Sequence, residues 1–214
     1  MFEDALPDKV KAVLDTVAPI ITAQNFYLAG GTGLALQIGH RISEDLDFFR
    51  ESVFDASSLF RLLRDSTTSF KDILLESHTL SAEAEGVRCS FFHYDVRLVL
   101  EPVTYKDMRV AEWRDIVAEK FKTIAQRGSK KDFYDVFAAI RLGSLTIGEA
   151  VGIFRKRFEN TGLNLYHVLR SLTFFEDAEA EPDPALTGRA RFSWQDVKSF
   201  FEKNIKEFEK HFMT

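Results

Sequence analysis

Asp45 and Asp47 sit two residues apart in Asp45-Leu-Asp-Phe-Phe49, an alternating stretch that reads as a β-strand, so both carboxylates leave one face of a sheet. Two carboxylates so placed repel, and each raises the cost of ionising the other. A divalent cation resolves that conflict. Hard oxygen ligands suit Mg²⁺, which takes one or two protein carboxylates and completes its shell with phosphate oxygens and water. In phosphoryl or nucleotidyl transfer such ions polarise the phosphate and steady the attacking and leaving oxygens. Alone, an Asp-x-Asp pair is more often a chance arrangement on a surface strand, so the surrounding residues decide.

Upstream, Gly30-Gly31-Thr32 follows the apolar run Phe26-Tyr-Leu-Ala29 and opens a helical stretch, Leu34-Ala-Leu-Gln-Ile38, closed by Gly39. Glycines at a strand-to-helix turn let the backbone approach a phosphate, and the helix N-terminus supplies N–H groups and the positive end of the dipole. Thr32 adds a hydroxyl that donates to a ligand or caps the helix. An ordinary capped turn would look the same. The combination of glycine cradle, helix and acidic strand is more specific than either part. A Walker A loop is excluded, because no lysine follows these glycines. The dinucleotide fingerprint fails too, since Gly31-Thr-Gly33 continues into Leu34-Ala-Leu36.

A second constellation lies in Glu119-Lys-Phe-Lys-Thr-Ile-Ala-Gln-Arg-Gly-Ser-Lys-Lys-Asp-Phe-Tyr-Asp135. From Lys106 to Lys131 there are eight basic residues and four acidic ones, in a chain whose net charge is -5. Lys120 and Arg127, seven apart, share a helix face; Gly128-Ser129 breaks the helix, and Asp132 and Asp135 are neighbours on the next. Two readings stand side by side. In one the run is solvated surface with an interhelical ion pair. In the other Lys120 or Arg127 faces a triphosphate and stabilises charge on the leaving pyrophosphate. Asp132 or Asp135 then orients that cation or assists as a base.

The elements that must position these groups follow from periodicity. Val10, Val13, Leu14, Val17 and Ile20/Ile21 recur at helical spacing, and Ser57 to Ser66 is helical in pattern. Ile73 to Leu80 reads as one strand, Val87 to Tyr94 as another, continuing through a bend near Asp95 into Val96–Leu100. After Pro102 the pattern is helical, over about 112–126, 131–142, 147–158, 163–174 and 193–211. The acidic stretch Glu176 to Pro184 reads as an exposed linker before the last helix. Strands with interspersed helices followed by a run of helices predict an α+β fold, a small mixed sheet with flanking helices and then a helical half. The division falls near 105, with residues 1–105 as the α/β core and 106–214 as the helical region packing on it.

At 214 residues and 45% apolar, the chain can fill a core, and its 21 Phe suit helices packed on a sheet. The pI near 5.6 argues against a whole-protein grip on nucleic acid and leaves room for a local basic patch. The single cysteine, Cys89, reads as a small buried hydrophobe. Trp113 and Trp194 read as helix packing, and the histidines other than His40 as structural or surface. The N-terminus shows no leader pattern and no run long enough to span a bilayer, so a soluble cytoplasmic protein is expected.

The segment Leu28-Ala-Gly-Gly-Thr-Gly-Leu-Ala-Leu-Gln-Ile-Gly-His-Arg-Ile-Ser-Glu-Asp-Leu-Asp-Phe-Phe49 resembles the first motif of the nucleotidyltransferase-type toxins of abortive-infection systems, the AbiEii family. More broadly it is similar to the minimal nucleotidyltransferases of the polymerase-β type, whose signature is Gly-Gly/Ser, a spacer and Asp-x-Asp. Twelve residues separate Thr32 from Asp45, within that family's spacing, and His40, Arg41 and Ser43 match its His-Arg-x-Ser habit. Arg41 then either faces phosphate or neutralises Asp45 and Asp47. The second constellation resembles the family's second block, with Lys120, Arg127, Lys131, Asp132 and Asp135 as the matches.

The resemblance implies Mg²⁺ on Asp45 and Asp47, and direct roles for Lys120 and Asp132. Gly30, Gly31, Thr32, Arg41, Ser43, Arg127, Lys131 and Asp135 would surround the nucleotide. It further implies transfer of an NMP from an NTP to an RNA (tRNA-like) or protein hydroxyl, a toxin role, and a cognate antitoxin. One departure weighs against full activity. Many polymerase-β-like enzymes carry a third carboxylate on a later strand, where this chain has Arg88-Cys-Ser-Phe-Phe92. A catalytically weak or inactive nucleotide-binding or interaction module with the same fold is therefore the alternative. A glycosyltransferase leaves Gly30-Gly31 unexplained, and a phosphoaspartyl hydrolase needs a long apolar strand that Arg41-Ile-Ser-Glu44 does not supply.

Overall fold

The computed structural model describes residues 1–213 and resolves into two compact units. One comprises Met1–Gln37 and Ile42–Glu112; the other comprises Ile38–Arg41 and the chain from Trp113 onward. The first unit opens with α1 (Asp8–Ala23), β1 (Tyr27–Leu28) and α2 (Gly30–Ile38), whose last residue is counted with the second unit. There follow β2 (Leu46–Arg50), α3 (Ala56–Arg64), β3 (Phe70–Glu76), β4 (Thr79–Ala84), β5 (Val87–His93), β6 (Val103–Tyr105) and β7 (Met108–Val110). The fold is α+β, as the element pattern predicts.

The seven strands form one mixed sheet in the order β3-β4-β5-β2-β1-β7-β6. β2 runs parallel to β5 and antiparallel to β1, while β1 is parallel to β7. One face is apolar: Leu46 and Phe48 of β2, Cys89 and Phe91 of β5, and Leu80 and Ala82 of β4 are buried. They share a core with Val10, Val13, Leu14, Val17 and Ile21 of α1 and with Leu59 and Leu63 of α3. Burial at period two on the strands and near 3.6 on the helices is what makes this core continuous.

Three differences from the sequence expectations concern strands. Residues 73–80 are not one strand; β3 and β4 form a hairpin that turns at Ser77-His78. The β-rich run ends at His93, and 96–100 carry no strand. In the region read as turning helical after Pro102, β6 and β7 pair as a second hairpin. Its two-residue turn, Lys106-Asp107, has φ of 49° and 60°. Positive φ at both central residues matches the right-handed strand twist, but these residue types give no glycine or asparagine signal to read beforehand.

The second unit holds α4 (Trp113–Arg127), α5 (Lys130–Leu142), α6 (Ile147–Phe158), α7 (Leu165–Ser171), the single turn α8 (Glu176–Glu179) and α9 (Trp194–Met213). Its core is aromatic. Phe121 meets Phe154, Phe208 and Phe212 edge-on, and Phe133 meets Trp194 and Phe201 likewise. The acidic stretch read as an exposed linker is exposed at most positions, Glu176, Asp177, Glu179 and Asp183 among them, but is anchored at two points. Ala178 is fully buried, and the Glu181 carboxylate accepts from Lys130 N and Ser129 Oγ, each at 2.8 Å. The first N–H groups of α5 lack intrahelical acceptors, and an acid supplied from 51 residues downstream satisfies that of Lys130.

Candidate active site

In the first unit the sheet face opposite the core carries the acids, along with the aromatic group of Tyr27, Phe49 and Phe92. Asp45 immediately precedes β2 and is exposed; Asp47 lies on β2 and is half-buried. Leu46 and Phe48 between and beyond them are fully buried, so both carboxylates leave the face opposite the core. α2 begins at Gly30, which takes φ +59°, and a Cβ there would stand 2.3 Å from Asp47 Oδ2. Glycine is thus required at position 30 both by its left-handed backbone and by the Asp47 carboxylate against it. Gly31 is half-buried in the first turn of α2, where N–H groups have no intrahelical acceptor.

Thr32 and Ser43 are buried. The Thr32 hydroxyl pairs with Ser43 Oγ at 2.9 Å and donates to the carbonyl oxygen of Asp45. Their role in the structure is to tie the entry of β2 to α2, and so to set where Asp45 emerges. The residue in register with Asp47 on β5 is Ser90, and Arg88 on the same face stands opposite Glu83 of β4. Glu83 is a carboxylate the sequence reading passed over. Two strands from Asp47, roughly 10 Å at ordinary strand spacing, it is too far to share a small cation directly. Cys89 lies on the buried face; burial first, and the Asp47 charge second, push its thiol up to about 12. It stays protonated and inert.

The second unit assembles a charged network with almost no exposure. Asp132 and Asp135 on α5 and Lys120 on α4 are buried, as are His40 and Arg41. Lys120 Nζ donates to Asp132 Oδ1 at 2.6 Å and contacts Asp135 Oδ2 at 2.7 Å. Arg41 grips Asp135 through Nε at 2.6 Å and Nη2 at 3.0 Å. Arg127 holds Asp132 through Nε at 2.8 Å and Nη2 at 3.1 Å, with about half its side chain exposed. Lys131 is half-buried.

The helix break that sets up this geometry is Gly128, at φ +59°, whose N–H bonds Ile124 O. His40 and Arg41 are held by a strap: Thr187 N donates to His40 O at 3.0 Å, and Arg41 bridges Leu186.

Burial would raise both carboxylates. The Arg41 and Lys120 charges, with hydrogen bonds from His40 and Arg41, nevertheless hold Asp135 well below the usual carboxylate range. Lys120 and Arg127 lower Asp132 against the same burial. Burial works to lower Lys120, but Asp132 and Asp135 raise it above its ordinary value. Burial lowers His40 against the pull of Asp135. A neutral ring beside an ionised, acceptor-only carboxylate donates its Nε2–H, 2.8 Å from Asp135 Oδ1. The other ring nitrogen, Nδ1, is buried without a partner. Three cations against two carboxylates leave one surplus positive charge, and Arg127 is the member that reaches solvent.

Each pair of acids is thus gathered as expected within its own unit, and the first motif contributes to both. Gly30, Asp45 and Asp47 belong to one unit, His40 and Arg41 to the other. Arg41 was expected either on phosphate or on Asp45 and Asp47; its guanidinium grips Asp135. Sequence reasoning also missed the buried pair of Asp115 and Arg157 (2.7 Å), which carried no motif signal at all. Among the described residues no group of three or more His, Cys, Asp or Glu side chains converges as a metal cage. No helix among them is long and apolar enough to cross a membrane.

Comparison with known proteins bears on this arrangement. The profile of the family described as "Nucleotidyl transferase AbiEii toxin, Type IV TA system" matches residues 13–104 and 86–212. An uncharacterized protein of Aquifex aeolicus (strain VF5), aq_aa25, is 33% identical over 207 residues, spanning 95% of this chain and 97% of its own. Among solved structures, JHP933 from Helicobacter pylori superposes with a TM-score of 0.53 at 14% identity, over 96% of this chain and 95% of that one. A second H. pylori structure, described as a candidate nucleotidyltransferase, gives 0.54 at 13% identity, over 95% and 98%. At such identities these two structures speak for the fold alone.

Proposed function

Because the chain belongs to the AbiEii nucleotidyltransferase toxin family, we propose that it transfers a nucleoside monophosphate from a nucleoside triphosphate to a hydroxyl of an RNA acceptor, with release of pyrophosphate. The observation that carries this reading is the position of Asp45 and Asp47, side by side on the sheet face opposite the core, with Gly30 packed against the second. Two hard-oxygen donors on one face, one exposed and one half-buried, fit Mg²⁺, whose shell takes one or two carboxylates and leaves room for phosphate and water. When bound, the ion supplies Lewis-acid polarisation of phosphate oxygens.

The protein's own residues do the rest. The N–H groups at the start of α2 donate to phosphate oxygens, aided by the helix dipole. Thr32 and Ser43 keep Asp45 in place. In the second unit Arg127, oriented by Asp132, is a fixed guanidinium that reaches solvent and suits an anionic phosphate, with Lys131 near it in sequence. Lys120 holds Asp132 and Asp135 together, and His40 and Arg41 complete the shell around Asp135. The family description makes an antitoxin the expected regulatory partner, and the acceptor and nucleotide lie with the same proposal.

Purified protein incubated with each labelled NTP, Mg²⁺ and total cell RNA should label RNA, and Asp45→Ala should not. Absence of label with all four NTPs, or undiminished label in Asp45→Ala, overturns the assignment. Ser90, standing where a third acid would stand beside Asp47, favours a second reading: nucleotide binding without turnover. Calorimetry showing Mg²⁺-dependent ATP binding by a protein that labels nothing would select it.

A further inference from the structure

The chain has 21 Phe, 5 Tyr and 2 Trp, and among the described residues only Tyr166 and Phe174 are exposed, at 58% and 48%. Tyr166 lies on α7, with Arg170 four residues on and exposed. Side chains at i and i+4 are neighbours on a helix surface, so the ring and the guanidinium share one stripe. Phe174 follows four residues later, where the chain still coils, its N–H donating to Ser171 O at 3.1 Å.

α7 starts at Leu165, which with Leu163 borders a cleft of about 530 Å³ in the same unit. Arg155, Lys156 and Glu159, from the end of α6, line it as well. Gly152 and Gly162 leave it unfilled: a Cβ at either would meet nothing within 4 Å. Several cations of this unit face a carboxylate, as Lys120, Lys122, Arg157 and Lys198 do. Arg155 donates to a carbonyl, His211 O, and neither it nor Lys156 nor Arg170 has a carboxylate partner among the described residues.

We infer that this α6–α7 surface binds single-stranded RNA, with bases stacked on Tyr166 and Phe174 and phosphates on Arg155, Lys156 and Arg170. A chain alternating flat bases with phosphates matches exposed rings interspersed with unpaired cations. An acidic peptide would use the cations and leave the rings wet; a duplex hides its base faces. With a net charge of -5 on the whole chain, the attraction is local, as a docking groove requires. The inference gives the proposed RNA acceptor a place to dock, and rests on that reading for its purpose; its test reads binding, independent of transfer.

The test is fluorescence anisotropy of the full chain with a labelled 12-nucleotide RNA, single-stranded or in duplex, across a salt series. Tighter binding of the single strand is expected. Tyr166→Ala should weaken it roughly 5- to 100-fold, and Tyr166→Phe, which keeps the ring, less than about twofold. Lys156→Gln with Arg170→Gln should reduce the slope of log affinity against log salt by about 1.4. These side chains are exposed, so unchanged melting temperatures confirm folding. Equal affinity for duplex, an unaltered Tyr166→Ala, or no RNA binding overturns the surface even where NMP transfer is observed. If wild type binds single-stranded RNA in this way but labels no RNA with any of the four NTPs, the surface stands and the transfer proposal falls.

Discussion

Two pairs of aspartates in this molecule meet opposite fates. Asp45 and Asp47 lie on the sheet face opposite the core, one exposed and one half-buried, beside a glycine that leaves the second carboxylate room. Asp132 and Asp135 are wholly buried and gripped by Lys120, Arg41, Arg127 and His40. A buried carboxylate survives only with its charge and lone pairs answered, because the interior offers no water to do so. An exposed one keeps coordination sites for something that arrives later. Under the proposed function the first pair would receive a ligand, whereas the second holds an arrangement that only Arg127 extends to solvent.

Substitutions should separate the two. Asp45→Ala should abolish nucleotidyl transfer by about 10³-fold or more, since metal polarisation is worth several kcal/mol, while shifting stability by no more than about 0.5 kcal/mol. Parallel activity assays and urea titrations read both; a large stability loss would erase the contrast. Lys120→Met should do the reverse in kind. It leaves two buried carboxylates facing each other, and unfolding in urea should come roughly 3–5 kcal/mol more easily. A variant as stable as wild type would show that the network is not structural.

Gly30→Ala tests the bridge between fold and chemistry. Left-handed strain and a Cβ against Asp47 Oδ2 should together cost roughly 2–5 kcal/mol and displace the carboxylate. Retained stability and transfer would mean the strand shifts without consequence. The smallest effect concerns pH. Because burial lowers His40 below 6.5, the unfolded chain takes up a proton more readily, and stability falls as pH drops from about 6.5 toward the folded value. The slope is at most about 1.4 kcal/mol per pH unit. Asp132 and Asp135, held low, keep their contribution above about pH 3.8 and lose it only as pH falls through their folded values. Thermal melts from pH 8 to 5 should slope in wild type and flatten in His40→Gln; identical slopes would reassign the proton.

Much of this was legible in advance where local pattern and burial coincide. The stripes of α1 and α9 and the alternation through Asp45–Phe49 depend only on which side chains shun water. The hairpin of β6 and β7 was not, because its turn places Lys106 and Asp107 at positive φ, which neither residue type advertises. Nor was the docking of Glu181 on the start of α5, an acceptor whose donor lies 51 residues away in sequence.

Sequence alone determined the spacing of the acids, the glycines before them and the membership of the family; that position 30 must be glycine follows from its positive φ and the carboxylate packed against it. It could name His40, Arg41, Lys120 and Asp135 as noteworthy without saying that they touch one another. Tertiary structure decided the pairing, because whether a charge binds a ligand or a neighbour depends on distance and on exclusion of water. Those are properties of the packed chain, and no interval along the sequence encodes them.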